Sequence, residues 1–426
     1  MNGNVKLLGM VATASIMLAS CSNDELKEVY KGEKISFTTQ VKTRATETTL
    51  DNLDGFFVYA KGKGMSQMFI NGQEAKKSGE GNKYTITDDK GVGYLWPSGV
   101  EQIDFWAYGP NTLDDRFKAT INTQTQSFSV NLPSSMENGG ADQQDFIVAH
   151  KQAKKSDISG GNIPLKFYHA LSQIRVNAKC PDNGRYNVYI KGAWLVNVYG
   201  SGTLKFKESD KDESVSTAID HMDWAISGNP TNYGAVLNSG EGHALNAQLT
   251  SLIGFDVEGT NGKETNNNLM LVPQNAQKKW TKNNTNGAYI LLLCRIETIH
   301  DGAIHTDGNN TANDGPVYEE GNKHYHQTFP VSDKWKKNEY GYTCVGIDAN
   351  WEPNKKYIYN LIFCGQGSGA GLYPPTSPDN LPDIDGVEVV TPPADKEVGD
   401  PILDKPLSFE VEVGDWEKVD NDTNMD

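Results

Sequence analysis

The chain has 426 residues and carries 55 acidic against 39 basic side chains, a formal net charge of −16. That balance argues against nucleic acid or an anionic membrane surface as a partner. Only 37% of residues are hydrophobic and 42 are glycine, and the apolar residues come in short runs between turn formers, so strands with solvated connections are expected rather than long helices.

Residues 1–20 read as a leader. Lys6 precedes an apolar run that is too short to span a bilayer and ends in small residues. The ending Leu18-Ala19-Ser20-Cys21 resembles the bacterial lipobox, which implies that Cys21 is lipidated and becomes the first residue of the mature protein. Membrane attachment then comes from the lipid alone. No second apolar segment is long enough to cross a bilayer, so the rest is expected outside the cytoplasm. About 400 residues follow the leader, which suggests two or more domains. Residues 21–33 are polar and charged, as in a tether; Asp24 and Glu25, just after Cys21, suit a solvated tether and equally resemble the acidic surface-export signal of some bacterial lipoproteins.

The first strand is Ile35–Val41, where Ile35, Phe37, Thr39 and Val41 alternate with polar residues. It stops at the exposed polar stretch Lys42–Glu47. Further strands are expected at 56–60, 84–87, 103–108, 128–132, 165–167 and 171–178, separated by turn formers such as Asn71-Gly72 and Asn138-Gly139-Gly140. Pro181-Asp182-Asn183-Gly184 is a turn cluster and the expected boundary between an N-terminal domain (34–181) and a C-terminal one (185–420). Strands follow at 186–190, 193–198, 202–206, 269–272, 289–296, 324–329 and 357–364. Residues 208–268 and 300–322 are long and polar and read as insertions on a β scaffold, with a short helix allowed at 213–227. Long loops of this kind often carry binding surfaces. Many short strands with turn-rich gaps predict an all-β chain built from β-sandwiches.

Residues 373–406 are rich in Pro and Asp and read as an extended, semi-rigid linker. It leads to residues 407–416, where Leu407, Phe409, Val411 and Val413 share one face and Ser408, Glu410 and Glu412 the other. Besides Cys21 there are four cysteines, Cys180, Cys294, Cys344 and Cys364, which allow three pairings. Cys294 and Cys364 sit in strand-like apolar runs, and buried free thiols remain as open as disulfides.

Several local motifs resemble the fimbrillin family. They are Tyr94-Leu-Trp96-Pro97 followed by Ile103-Asp-Phe105-Trp-Ala107-Tyr108-Gly-Pro110; Asp142-Gln-Gln-Asp145-Phe-Ile-Val-Ala149; Phe167-Tyr-His169-Ala170-Leu171-Ser-Gln-Ile174; Trp351-Glu-Pro-Asn-Lys-Lys-Tyr357; and the terminal strand 407–416. Residues 208–345 match no pattern of that family. The resemblance implies a surface lipoprotein of the kind that builds Bacteroidales type V pili, with two tandem transthyretin-like β-sandwiches. It also implies cleavage by a trypsin-like protease after Arg44, leaving Ala45 as the new N-terminus, and assembly with other fimbrillin subunits by strand exchange. A location at the cell outer membrane and in the fimbrium follows.

Strand exchange makes physical sense for these termini. Ile35, Phe37 and Val41 of the first strand and Leu407, Phe409, Val411 and Val413 of the last both present apolar side chains at period two. Either set could fill one apolar groove, with backbone hydrogen bonds giving affinity and side chains giving register. Cleavage after Arg44 would release the first strand and leave an unpaired apolar edge. A neighbour's donor strand would bury three or four large side chains there, roughly 1.5–3 kcal/mol each. The large insertions point to an accessory or tip role over a repeating stalk, where such protrusions would have to fit along a filament.

Other chemistry finds little support. His300, His305, His324 and His326 could gather round a metal, but no carboxylate or Cys at a recognisable spacing completes a site. Asp307–Asp314 lacks the closing Glu of a calcium loop. Gly365–Gly371 follows a strand but is not followed by a helix, as a phosphate-binding loop requires. No enzyme motif, cofactor or metal site is expected. The alternative reading is a glycan-binding surface lipoprotein that never polymerises, with some of its 8 Trp and 18 Tyr stacking on host or microbial sugars.

Overall fold

The computed structural model describes residues 34–40, 48, 52–79, 82–113, 127–141, 143–158, 160–206, 222–237, 242–256, 265–266, 268–302, 317–365, 367–375 and 381–415. The chain is all-β, as expected. In the first half, strands β1 (Ser36–Gln40), β2 (Gly55–Gly62), β3 (Ile70–Lys77), β4 (Lys83–Ile86) and β5 (Gln102–Gly109) are followed by β6 (Ser127–Asn131), β7 (Ile147–Lys154), β8 (Asn162–Lys166) and β9 (Tyr168–His169). All but β6 form one sheet in the order β8-β1-β4-β3-β2-β5-β7-β9. The sheet curls until β8 lies against β7. Period-two alternation explains the interior: Phe37, Phe56, Val58, Tyr84, Phe105, Ile147, Ile163 and Leu165 all point inward and form one buried cluster.

The second half contributes β10 (Ser172–Lys179), β11 (Tyr186–Val198), β12 (Ser201–Phe206), β13 (Met222–Ser227), β14 (Thr231–Val236), β15 (His243–Ala244) and β16 (Thr250–Ile253). There follow β17 (Phe255–Asp256), β18 (Thr265–Asn266), β19 (Leu269–Leu271), β20 (Gln274–Gln277), β21 (Tyr289–Asp301), β22 (Val317–Glu320), β23 (Lys323–Phe329), β24 (Glu339–Gly346), β25 (Ala349–Trp351), β26 (Lys355–Ile362), β27 (Glu388–Val389) and β28 (Ser408–Asp415). One sheet runs β16-β10-β26-β28 with β19 on β10; a larger one runs β14-β11-β21-β23-β22, with β24 on β21. Their facing residues, Ile174, Val176, Leu195, Leu292, Tyr359 and Leu361 among them, share a core that also takes in Trp106, Tyr108, Phe146 and Val148 from the back of the first sheet. β6 pairs with β12, a second link between the halves.

Five features differ from the sequence reading. The chain changes sheets at Ala170-Leu171, because β10 is parallel to β26, and the turn at Pro181–Gly184 lies one strand later. No helix forms at 222–227; Met222–Ser227 is a strand paired with β12. The stretch 208–268 is not merely an insertion: its described part supplies β13, β14 and β16, anchored by buried Met222, Tyr233, Leu252 and Ile253. Within 300–322, Val317–Glu320 joins the larger sheet as β22. Finally, residues 381–406 do not project as a linker. Leu381, Ile384 and Val387 pack on the outer face of the larger sheet over Leu291, Leu293 and Tyr340, β27 pairs with β24, and Ile402 is buried. Apolar residues placed between the prolines give the segment a surface to bind.

Candidate strand-exchange elements

β1 is enclosed on both edges. It pairs antiparallel with β4 through Phe37↔Tyr84 and parallel with β8 from Ser36↔Asn162 to Gln40↔Lys166. Ile35, Phe37 and Thr39 are 2%, 0% and 2% exposed. The Phe37 ring meets Phe56 and Phe105 edge-on, both at 5.9 Å. The start of the strand rests on the Tyr94-Leu-Trp96 motif: Ile35 N donates to the Tyr94 carbonyl at 2.8 Å, and Lys34 bridges to Leu95. Removing β1 would therefore open an apolar slot with unpaired backbone on two sides. Val41, Arg44, Ala45 and Cys21 lie outside the described residues.

Downstream of Arg44 the chain is pinned at Thr48. Its N–H donates to Asp145 Oδ2 at 2.7 Å, and the same carboxylate accepts from His169 Nδ1 at 2.8 Å. His169 N in turn donates to Asn354 Oδ1 at 3.2 Å, and Asn354 N donates to the Leu171 carbonyl. Three of the family-like motifs, far apart in sequence, thus meet in one buried network. Sequence reasoning quoted these residues but could not bring them together, since no local spacing encodes a contact between residues 145, 169 and 354.

β28 is held differently. Among the described residues its only strand partner is β26, from Ser408↔Ile362 to Asp415↔Lys355, antiparallel. Leu407 is buried at 4% and Phe409 is half-buried against Tyr359, ring centroids 6.1 Å apart. Val411 and Val413 are 42% and 58% exposed, although they stand opposite the buried Tyr359 and Tyr357. Two of the four apolar residues of this row are thus exposed. The approach to β28 is fixed by Gly369, whose N–H donates to the Pro406 carbonyl at 3.0 Å; a Cβ there would collide with the Lys405 carbonyl.

The histidines singled out in the sequence also meet. His300 faces His324 across the β21–β23 ladder, with rings 5.2 Å apart, and His326 contacts both at 4.9 Å. His324 Nδ1 lies 2.9 Å from the Gly302 carbonyl and so donates to it. His305 lies outside the described residues. The Gly365–Gly371 loop turns back into a bridge between Leu372 and Cys344.

A family model described as fimbrillin-like matches residues 43–371. No curated protein matches the chain. Among solved structures, a fimbrial protein from Bacteroides vulgatus aligns at 15% identity over 90% of this chain and 100% of its own, with a TM-score of 0.49. A candidate cell adhesion protein from Parabacteroides distasonis aligns at 12% identity over 91% of this chain and 98% of its own, TM-score 0.43. One from Bacteroides uniformis aligns at 12% identity over 90% and 97%, TM-score 0.39. With its family model covering more than three quarters of the sequence, the chain belongs to the fimbrillin-like family.

Proposed function

We propose that the chain is a surface-exposed fimbrial subunit, stalk or tip, that contributes to adhesion, is held to the outer membrane through a lipid on Cys21, and assembles by strand exchange. A trypsin-like protease cleaves after Arg44 and β1 leaves its slot. The C-terminal strand of another subunit then fills it. One contrast carries the reading: β1 is closed in on both edges, whereas among the described residues β28 has one paired edge and exposes Val411 and Val413. A strand held so incompletely gains by transfer, since burying two valines is worth about 1.5–3 kcal/mol each when complete and a second ladder adds about 0.5–1.5 kcal/mol per net hydrogen bond. Thr48, held by Asp145, keeps the new N-terminus attached after cleavage.

Phe409→Asp or Val411→Asp in the full chain leaves the subunit folded and removes it from high-mass polymer in surface-sheared material. Normal polymer from these variants refutes exchange through β28. Arg44→Ala leaves residues 21–44 attached; a mature mass beginning at Ala45 in that variant refutes the cleavage site.

A second reading, glycan binding, is favoured by one feature. Tyr318 is 40% exposed and stacks on Trp335 at 4.6 Å, while Trp335 lies over the Arg295 guanidinium at 5.4 Å. The outer face of Tyr318 suits a sugar ring. Tyr318→Ala that weakens retention on immobilised glycans without altering polymer formation supports this reading beside the first.

A further inference from the structure

Two buried thiols end the central ladder of the second half. β10 and β26 run parallel in register as far as Lys179↔Ile362, and Phe363 N donates to the Lys179 carbonyl at 2.8 Å. Cys180 and Cys364 therefore close adjacent strands, whose backbones stand about 4.8 Å apart in any sheet, inside the span that a disulfide bridges. In a strand continued regularly, Cys364 would face away from Cys180, because a one-residue offset changes the face. Cys364 does not continue regularly. Its φ is +50°, in the left-handed region that residues other than Gly, Asn and Asp rarely take. The turn redirects its side chain, and the two thiols lie in one buried core cluster, close enough to influence each other. Cys180 is 0% and Cys364 7% exposed.

We propose that Cys180 and Cys364 are joined as a disulfide in the exported protein. The bond rests on the export reading for its oxidant, a small-molecule or protein disulfide outside the cytoplasm. While the second half is still open during folding, one thiolate attacks the oxidant, breaking its S–S bond and expelling one thiolate. The second cysteine, deprotonated, attacks the sulfur of that mixed disulfide and expels the other. Two electrons pass to the oxidant, and the two protons lost from the cysteines return to its two released thiols.

The other two thiols are excluded by position. Cys294 faces the inter-sheet core and Cys344 the outer face of the same sheet. Burial pushes both thiols well above their usual range. The proposed bond has a structural role beside β28. Ser408 pairs with Ile362, and its N–H donates to Ser368 Oγ at 2.9 Å. A staple between β10 and β26 at this end would hold the sheet together when β28 is withdrawn. Linking residues so distant in sequence also constrains the unfolded chain strongly.

The test is cysteine mapping on the full chain. Protein equilibrated in an oxidised/reduced glutathione buffer is unfolded with iodoacetamide present and digested without reductant. The expected result is a cross-linked peptide pair containing Cys180 and Cys364, lighter by two hydrogens than the separate peptides, with Cys294 and Cys344 fully alkylated. Alkylation of all four cysteines, or a link through Cys294 or Cys344, overturns the proposal. The same mapping on chain recovered by surface shaving is expected to give the same link, and free thiols there overturn its presence in the exported form. Absence of the chain from the surface fraction would count against export alone, because the glutathione experiment reads the pair independently of location.

Discussion

Asp145 and His169 form a buried pair at 2.8 Å where the chain passes from its first sheet to its second. The carboxylate also accepts from Thr48 N, so one side chain ties the segment following the expected cleavage site to the junction of the two halves. Removing the carboxylate leaves a buried N–H and an imidazole N–H without their acceptor. Asp145→Ala is therefore expected to cost about 2–4 kcal/mol, and Asp145→Asn, which keeps one acceptor oxygen, less. Urea unfolding of the full chain measures both. Equal midpoints for wild type and Asp145→Ala would show that the network contributes nothing.

Much of the fold was readable from period-two patterns. The first strand, the run 103–108, the run 357–364 and the terminal strand all emerged because apolar residues recur at alternate positions in each. What escaped was long-range pairing. The run 171–178 reads as a strand, but nothing local says that it joins β26, residues 355–362, rather than the sheet before it. Met222-Asp-Trp-Ala-Ile-Ser suits a short helix as well as a strand, and pairing with β12 decides. In residues 381–406 the prolines dominate composition, yet Leu381, Ile384 and Val387 pack against the cluster that holds Leu291 and Leu293. The alternation of β1 was legible as a pattern; the exposure of Val411 and Val413 was not, because burial depends on tertiary packing that no local spacing encodes.

Phe37 is the largest side chain β1 places inside, and it touches Phe56 and Phe105. Phe37→Ala is expected to lower the stability of the uncleaved chain by about 3–5 kcal/mol, transfer and cavity terms together. Hydrogen exchange should quicken first at the amides of β4 and β8, its two partners. Unchanged protection in those strands would mean that the slot closes without its strand.

The two ends of the β28 row predict opposite outcomes. Leu407→Ala removes a side chain 4% exposed and is expected to cost about 2–4 kcal/mol. Val413→Ala trims a side chain 58% exposed and should stay within about 0.5 kcal/mol. Chemical denaturation of monomeric chain compares them. A large loss from Val413→Ala would mean that the end of β28 is covered in the free subunit, which removes the reason for its transfer.

His150 gives the fold a defined acid sensitivity. Its ring lies parallel to Trp106, 3° between planes and 5.3 Å between centroids, with Phe206 at 6.0 Å, and its side chain is 4% exposed. Burial pushes its pKa down to about 4, against a weaker opposing pull from Asp104, whose Oδ1 is 4.0 Å from Nε2. An unfolded chain binds that proton near pH 6.5. Above pH 6.5 the ring is neutral in both states and its contribution is intact. As the pH falls from 6.5 to 4 the unfolded chain takes up a proton that the folded chain refuses, so stability declines, by on the order of 3 kcal/mol in all, and below pH 4 this group adds no further slope. His150→Phe keeps a flat ring between Trp106 and Phe206 and cannot titrate. Urea midpoints measured from pH 7 to pH 4 should fall for wild type and flatten for His150→Phe over that window. Identical slopes would assign the acid sensitivity to other groups, with the neutral imidazole at position 150 then contributing only through packing.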